Sequence, residues 1–293
     1  MARIVVIGGA GQVGEEFHHQ ALPSDWSCIG LYRSDLDLTE PASFKPILGV
    51  LEPDLIINAA GYTNVDKAEA EEDLAMQVNA RAPGELAKVA ADFGIPFLHI
   101  STDYVFDGSS DRPWTEDDEP NPINAYGRSK LKGERVVLDS GALAIVLRTS
   151  WVFSPYGSNF VKTMLRLGAK HEQLSIVADQ QGGPTAADDI AAALITVGQK
   201  LLEGSTQGGV YHFAGQPAVT WAEFAEAIFD YANWLDRRPD IQPIKTVDYP
   251  TPARRPLNSI LDCSKIKKDF DIAQPDWHEA LKRTLNELKL SHI

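Results

Sequence analysis

Continuous apolar runs of strand length mark the first half of the chain: Arg3–Ile7, Trp26–Tyr32, Asp54–Asn58, Phe97–Ile100 and Ala144–Arg148. Their apolar residues do not alternate with polar ones, which suits strands buried on both faces, as in a parallel sheet. Helical patterns separate them. One starts near Gln12. An acidic one spans Asp66 to Asp92, with Pro83-Gly84 interrupting it. Another starts at Asn124, an N-cap residue after Pro120 and Pro122, which hold the preceding chain extended. Strands alternating with helices predict an α/β fold of the Rossmann type, a doubly wound parallel sheet. The second half is more mixed and predicts a smaller C-terminal α/β region. Asn159–Lys170 is helical, and Ala178–Thr185 is a glycine-rich loop entering a helix that Thr185 caps with Asp188 as box partner. Val210–Phe213 is a short strand. Thr220 and Glu223 form a capping box, and Trp221, Phe224, Ala225, Ile228 and Phe229 make one core-facing helix stripe. Trp277, Leu281, Leu285 and Leu288 give the last helix its apolar stripe.

Composition narrows the function classes. A length of 293 residues with 44% hydrophobic side chains allows one large domain or a main domain with a smaller one. A net charge of −14 disfavours nucleic acid and anionic membranes as partners. Cys28 and Cys263 lie far apart without a metal-ligand pattern, which fits a reducing compartment. Residues 1–8 lead into a strand and not into a cleavable leader, and no apolar run approaches the roughly 20 residues that span a bilayer. These features predict a soluble, cytoplasmic protein. The charges of the Asp66–Asp92 stretch read as a solvated face, and Trp114 as a packed anchor in an acidic surface loop.

The chemistry starts at Gly8, Gly11 and Gly14, spaced G-x-x-G-x-x-G between the first strand and its helix. Glycine lets a pyrophosphate approach the backbone, and the helix N-terminus offers free N–H groups and positive dipole. The second strand ends in Tyr32-Arg33-Ser34, where a dinucleotide's adenosine ribose is read, and Arg33 suits a 2′-phosphate. NADPH is therefore the expected cofactor, with NADH tolerated. Ala59, Ala60 and Gly61 at the third strand's exit are small enough for a cofactor, or a helix, to lie close. Ser101 and Thr102 end the next strand, where open parallel sheets bind ligands. Tyr126 and Lys130 sit four apart on one helix, hence on one face. An ammonium roughly 4 Å from a phenol favours phenolate by about 4 kcal/mol at an effective dielectric of about 20, about three pK units before desolvation. Tyr126 then becomes a proton donor near neutral pH. The stiff basic loop Tyr249–Pro256 carries Arg254 and Arg255, which suit a ligand's phosphates or a charged surface.

These blocks resemble the extended short-chain dehydrogenase/reductases, and among them the dTDP-4-dehydrorhamnose reductases, nearly end to end. The likeness runs through Gly11–Gly14, Asn58–Thr63, Val65–Glu69, Ser101–Phe106, Tyr126–Lys130, Arg148–Trp151, Asp179-Gln180 with Pro184-Thr185, and Tyr249–Ala253. The resemblance implies Thr102, Tyr126 and Lys130 as the catalytic triad. It implies Gly11, Gln12, Val13, Asp37, Leu38, Gly61, Tyr62, Thr63, Tyr126 and Lys130 as cofactor contacts, to which Gly8, Gly14, Arg33, Ala59 and Ala60 are added from the residues themselves. Thr102, Asp103 and Trp151 would contact the dTDP-sugar, with Arg255 on its pyrophosphate. Residues 1–150, completed by parts of 175–215, would form the NAD(P)-binding domain, and 151–293 mainly the sugar-nucleotide region. Some members form homodimers through magnesium held by acidic side chains. Glu16 and Asp188 fall at two of those positions, and the third lacks a carboxylate. The implied reaction is NAD(P)H-dependent reduction of a sugar 4-keto group. A different 4-ketoreductase, an epimerase, or a non-catalytic NADP-binding regulator like that of methionine adenosyltransferase are the alternatives.

Overall fold

A computed structural model describes residues 1–235 and 237–290. Strands β1 (Ala2–Ile7), β2 (Trp26–Leu31), β3 (Leu55–Asn58), β4 (Phe97–Thr102) and β5 (Ala144–Thr149) are five of the six strands of the main sheet. Strand β6 (Gln173–Val177) belongs elsewhere, and β7 (Gly209–His212) is the sixth. The order is β7-β5-β4-β3-β1-β2, and every pairing is parallel. The chain winds outward from β1 in both directions, so the topological switch lies between β1 and β3.

The apolar runs do what continuous burial requires. Ile4 and Val6 of β1, with Leu55, Ile57, Leu98 and Ile145, pack against the Gln12–His19 and Ala187–Leu202 helices on one face. Val5 and Ile7, with Ile56, Phe97 and Val146, pack on the other against Phe44, Leu48, Leu86 and Val137. A third core joins Phe153, Met164, Phe224, Ile228, Trp277 and Leu285 in the C-terminal part. There β6 pairs in parallel with β8 (Asp240–Ile244), a small sheet the sequence reading did not anticipate. Its signal was the alternation of buried Leu174 and Ile176 with exposed Gln173 and Ser175. Trp114 is an anchor, stacked on Phe106 with its indole N–H on the Asn258 carbonyl.

Two expectations are corrected. Pro83 does not interrupt the acidic helix. It lies at the start of the Ala82–Phe93 helix, which a π-helical turn at Gln77–Arg81 joins to Glu72–Met76. Pro83 has no N–H for the carbonyl four residues back, that of Asn79, and the widened turn accommodates this. Thr185 does not cap the Ala187–Leu202 helix either. Ala186 holds the cap position without a side-chain bond, while the Thr185 hydroxyl donates to Gly183 O.

Candidate active site

The turn after β1 needs its glycines. Gly8 has φ +91°, and a Cβ there would lie 2.7 Å from the Ala60 nitrogen, so β1 and the exit of β3 touch backbone to backbone. A Cβ on Gly14 would run into the Gly8 carbonyl, so only glycine lets the first helix start so close to the strand. A cleft of about 940 Å³ opens over this turn at the carboxyl ends of the strands. Every residue assigned from sequence to cofactor, sugar or chemistry lines it except Gly14 and Arg255. Gly14 acts from beneath.

The Ala125–Leu138 helix brings Tyr126 and Lys130 to the cleft. Asn124 caps it, accepting from Gly127 N at 2.7 Å. At Gly127 the helix lies so close to the Tyr104 carbonyl that a Cβ would collide with it. The acidic stretch, read as solvated, instead braces this helix. Glu69 accepts from Ala125 N at 2.8 Å, and Glu72 takes Arg128 bidentately at 2.9 and 3.1 Å. Asn79 on the π turn, missed from sequence, accepts from Tyr62 N and donates to Tyr62 O and to Ser129 Oγ. It thereby locks the Gly61-Tyr62 exit of β3 to the helix.

The Thr102 hydroxyl donates to Asp103 Oδ1 at 2.9 Å, accepts from Tyr104 N, and hydrogen-bonds the Tyr126 phenol. Burial pushes that phenol well above the ordinary tyrosine range, and the Thr102 bond only partly offsets it. The expected depression by Lys130 is therefore corrected. The ammonium is turned to the Ile100 carbonyl at 2.6 Å, and burial lowers its own pKa to about 8. The phenol thus keeps its proton at neutral pH. Asp103 is pushed up to about 6, chiefly by burial, with hydrogen bonds from Ser259 and Thr102 opposing the rise. The Thr149 hydroxyl, which belongs to a residue lining the cleft, is buried with no hydrogen-bond partner among the described residues.

Behind the trio lies a buried network that sequence reasoning did not find. Arg148 of β5 pairs with Glu134 at 2.9 and 2.6 Å, and Ser101 donates to the same carboxylate. His212 of β7 donates from Nδ1 to the Trp114 carbonyl and so presents Nε2 to Arg148 at 3.3 Å. A second tie, from Gln12 Oε1 to Ser154 and Asn159, joins the glycine turn to the C-terminal part.

Arg255 lies outside the cleft lining. Its guanidinium is bonded to both Asp66 oxygens, and the loop is fastened by Asn124 donating to Arg254 O at 2.8 Å. Arg33 stays largely exposed, with Asp37 as its ion partner at 3.2 Å. Glu16 and Asp188 do come near each other, but they do not fit a magnesium ion. Arg283 occupies Asp188 at 3.0 and 2.8 Å, and among the described residues no three Asp, Glu, His or Cys side chains converge as ligands.

An open parallel sheet with a glycine turn at its switch point, and a hydroxyl, a phenol and an ammonium gathered beside it, is the arrangement of the extended short-chain dehydrogenase/reductases. The sequence matches the RmlD substrate binding domain family over residues 2–290. It is 45% identical over 287 residues to the dTDP-4-dehydrorhamnose reductase of Aggregatibacter actinomycetemcomitans, covering 96% of this chain and 98% of that protein. It is 42% identical to the protein of that name from Sinorhizobium fredii, covering 98% of each. The crystal structure of dTDP-4-dehydrorhamnose reductase from Bacillus anthracis in complex with NADP superposes with a TM-score of 0.91 at 35% identity, over 98% of this chain and 100% of that one. The chain belongs to the dTDP-4-dehydrorhamnose reductase family.

Proposed function

We propose that this protein reduces the 4-keto group of dTDP-4-dehydro-β-L-rhamnose to the alcohol of dTDP-β-L-rhamnose, using NADPH and tolerating NADH. The observation that carries the reading is the meeting of Thr102, a protonated Tyr126 and Lys130 beside the glycine turn. Residues 1–150 with parts of 175–215 hold the cofactor, and 151–293 mainly hold the sugar nucleotide.

The residues fit NADPH. Gly11, where a Cβ would meet only the Gly8 carbonyl, leaves room for a pyrophosphate, Arg33 offers a cation for the 2′-phosphate, and Gly61 leaves a bare surface near Lys130 Nζ. Bound there, NADPH supplies the hydride that adds to C4. As the carbonyl oxygen gains charge, Tyr126 Oη gives it a proton, and Thr102 hydrogen-bonds the same region and holds the phenol's direction. Lys130 turns from the Ile100 carbonyl to the ribose hydroxyls and to the phenolate as it forms, stabilising the charge left by proton transfer. Asp103, which lines the cleft beside Thr102 and accepts from its hydroxyl, contacts the sugar nucleotide.

The test is a coupled assay. Purified protein, NADPH and dTDP-4-keto-6-deoxyglucose with its 3,5-epimerase are followed at 340 nm. NADPH consumption equal to sugar reduced, and dependent on the epimerase, supports the proposal. Protein that purifies with NAD⁺ firmly bound and consumes no NADPH would make it an epimerase instead.

A further inference from the structure

Trp221 opens the helix stripe that reads as core from sequence, yet it is not packed like the rest. Phe224, Ala225, Ile228 and Phe229 are buried, whereas Trp221 is half-buried and lines the cleft beside Trp151. The two indoles stack face to face, with centroids 3.4 Å apart and an interplanar angle of 8°. Trp151 is one of few non-glycine residues with positive φ, at +48°, a conformation a bulky side chain adopts only when its surroundings hold it there. Those surroundings are specific. Gly182 leaves no room for a Cβ, which would lie 2.6 Å from the Trp151 ring. The stacked Trp221 is itself fixed threefold: by a complete capping box of Thr220 and Glu223, by its indole N–H donating to Gln180 Oε1 at 3.2 Å, and by Phe160 with centroids 4.6 Å away.

We infer that Trp221 is a positioning residue for the sugar-nucleotide half of the reaction: it holds the Trp151 indole in its strained conformation, so that the pair presents one rigid aromatic wall to the sugar. A wall set before binding spares the ordering cost that a mobile indole would meet on binding. This rests on the proposed reductase activity and adds a residue to it. Tyr126, Thr102 and Lys130 do not depend on the stack, so its loss weakens sugar binding and leaves NADPH binding alone.

The experiment compares the parent with Trp221→Leu, Trp221→Phe and Gly182→Ala. Readouts are KM for the sugar nucleotide, KM for NADPH, kcat, and the far-ultraviolet circular dichroism couplet that two closely stacked indoles produce. Trp221→Leu should abolish the couplet, raise the sugar KM about tenfold and leave the NADPH KM within twofold. Trp221→Phe also lacks the couplet but restores most of the sugar KM, because a ring still backs Trp151. Gly182→Ala keeps Trp221 and pushes a methyl group against the Trp151 ring, so it should reproduce the KM split even if Trp221→Leu does not fold. Folded Trp221→Leu with parental sugar KM overturns the inference, as does an equal rise in both KM values; if it does not fold, an unchanged sugar KM in Gly182→Ala overturns it. A parent that shows the couplet but no reductase turnover would instead sink the proposed activity.

Discussion

At the residue scale the proposed chemistry rests on one phenol. Burial keeps Tyr126 protonated at neutral pH, which suits the proposed donor of a proton to a developing alkoxide and excludes a standing phenolate. Tyr126→Phe should leave the fold and NADPH binding intact while kcat falls at least about a hundredfold, since a positioned general acid contributes about 10²–10⁴ in rate. Single-turnover kinetics with the sugar check this; a folded variant near parental rate removes Tyr126 from the mechanism. Lys130 adds a pH limb. With its pKa lowered to about 8 by burial, the ammonium is lost as pH rises through that value. The kcat/KM profile, which reports the free enzyme, should therefore fall on the alkaline side near pH 8. A profile flat to pH 10 contradicts the assignment. Arg33, tied only through Asp37 and otherwise exposed, is free to meet a 2′-phosphate. Arg33→Ala should cost NADPH about ten- to a hundredfold in KM, as loss of a charge-assisted contact does, and NADH much less. Equal losses for both cofactors would remove Arg33 from cofactor choice.

At the scale of elements, the Ala125–Leu138 helix is held by partners from all around it. Glu69 and Glu72 fix its first turns, Asn79 reaches Ser129, and Glu134 pairs with Arg148 at its inner face. The last pair is almost fully buried, with side-chain exposures of 4% and 2%. Removing one partner strands a charge, which costs about 3–5 kcal/mol, whereas replacing both by apolar groups is often close to neutral. Arg148→Met alone should lower the unfolding free energy by that amount, and Arg148→Met with Glu134→Leu should recover most of it. Urea titration of the parent and both variants measures the coupling, and additive losses in the double variant would show that the pair is not the bracing unit. Bracing of this kind was only half legible in the sequence. The helix, its Asn124 cap and the Tyr126–Lys130 face follow from local spacing. Its partners do not, because Glu72, Asn79 and Arg148 meet it through tertiary contacts and leave no periodic trace. A charge that looks solvated by composition, such as Glu69, differs from one that caps a helix only in what faces it.

For the molecule as a whole, the open sheet was the most legible part, since strands covered on both faces cannot hide their apolar runs. The glycine turn followed from spacing alone. The Gln173–Val177 and Asp240–Ile244 pairing did not, because two short strands far apart in sequence carry only a weak alternation each. One whole-molecule property also turns on the meeting of charges from the Gln12–His19, Ala187–Leu202 and Trp277–Leu290 helices around Glu16. Its carboxyl is pushed up to about 7, first by burial and then by Asp188 and Glu287, with Arg283 opposing and Asp189 adding. Its pKa is raised above the unfolded value, so the folded state binds the extra proton, and stability falls as pH rises from about 4.5 through 7. Glu16→Gln should therefore be more stable than the parent above pH 7, by up to about 3 kcal/mol at 1.36 kcal/mol per pK unit, and indistinguishable below about pH 4.5. Thermal unfolding across that range checks it; a difference independent of pH would mean the carboxyl is not the cause.

The outermost strand on the β5 side of the main sheet, β7, is supplied from Gly209–His212, after the chain has left the sheet at Thr149 and built part of the second region. On the ribosome this order sets a waiting time. Once β5 has emerged, roughly 60 more residues must be made before its partner arrives, about 3–12 s at about 5–20 residues per second. During that interval the β5 edge, with its run of unpaired backbone N–H and C=O groups, lies open to any extended segment nearby. The nascent chain is thus most exposed to mispairing just after its Tyr126 helix and β5 have been synthesised.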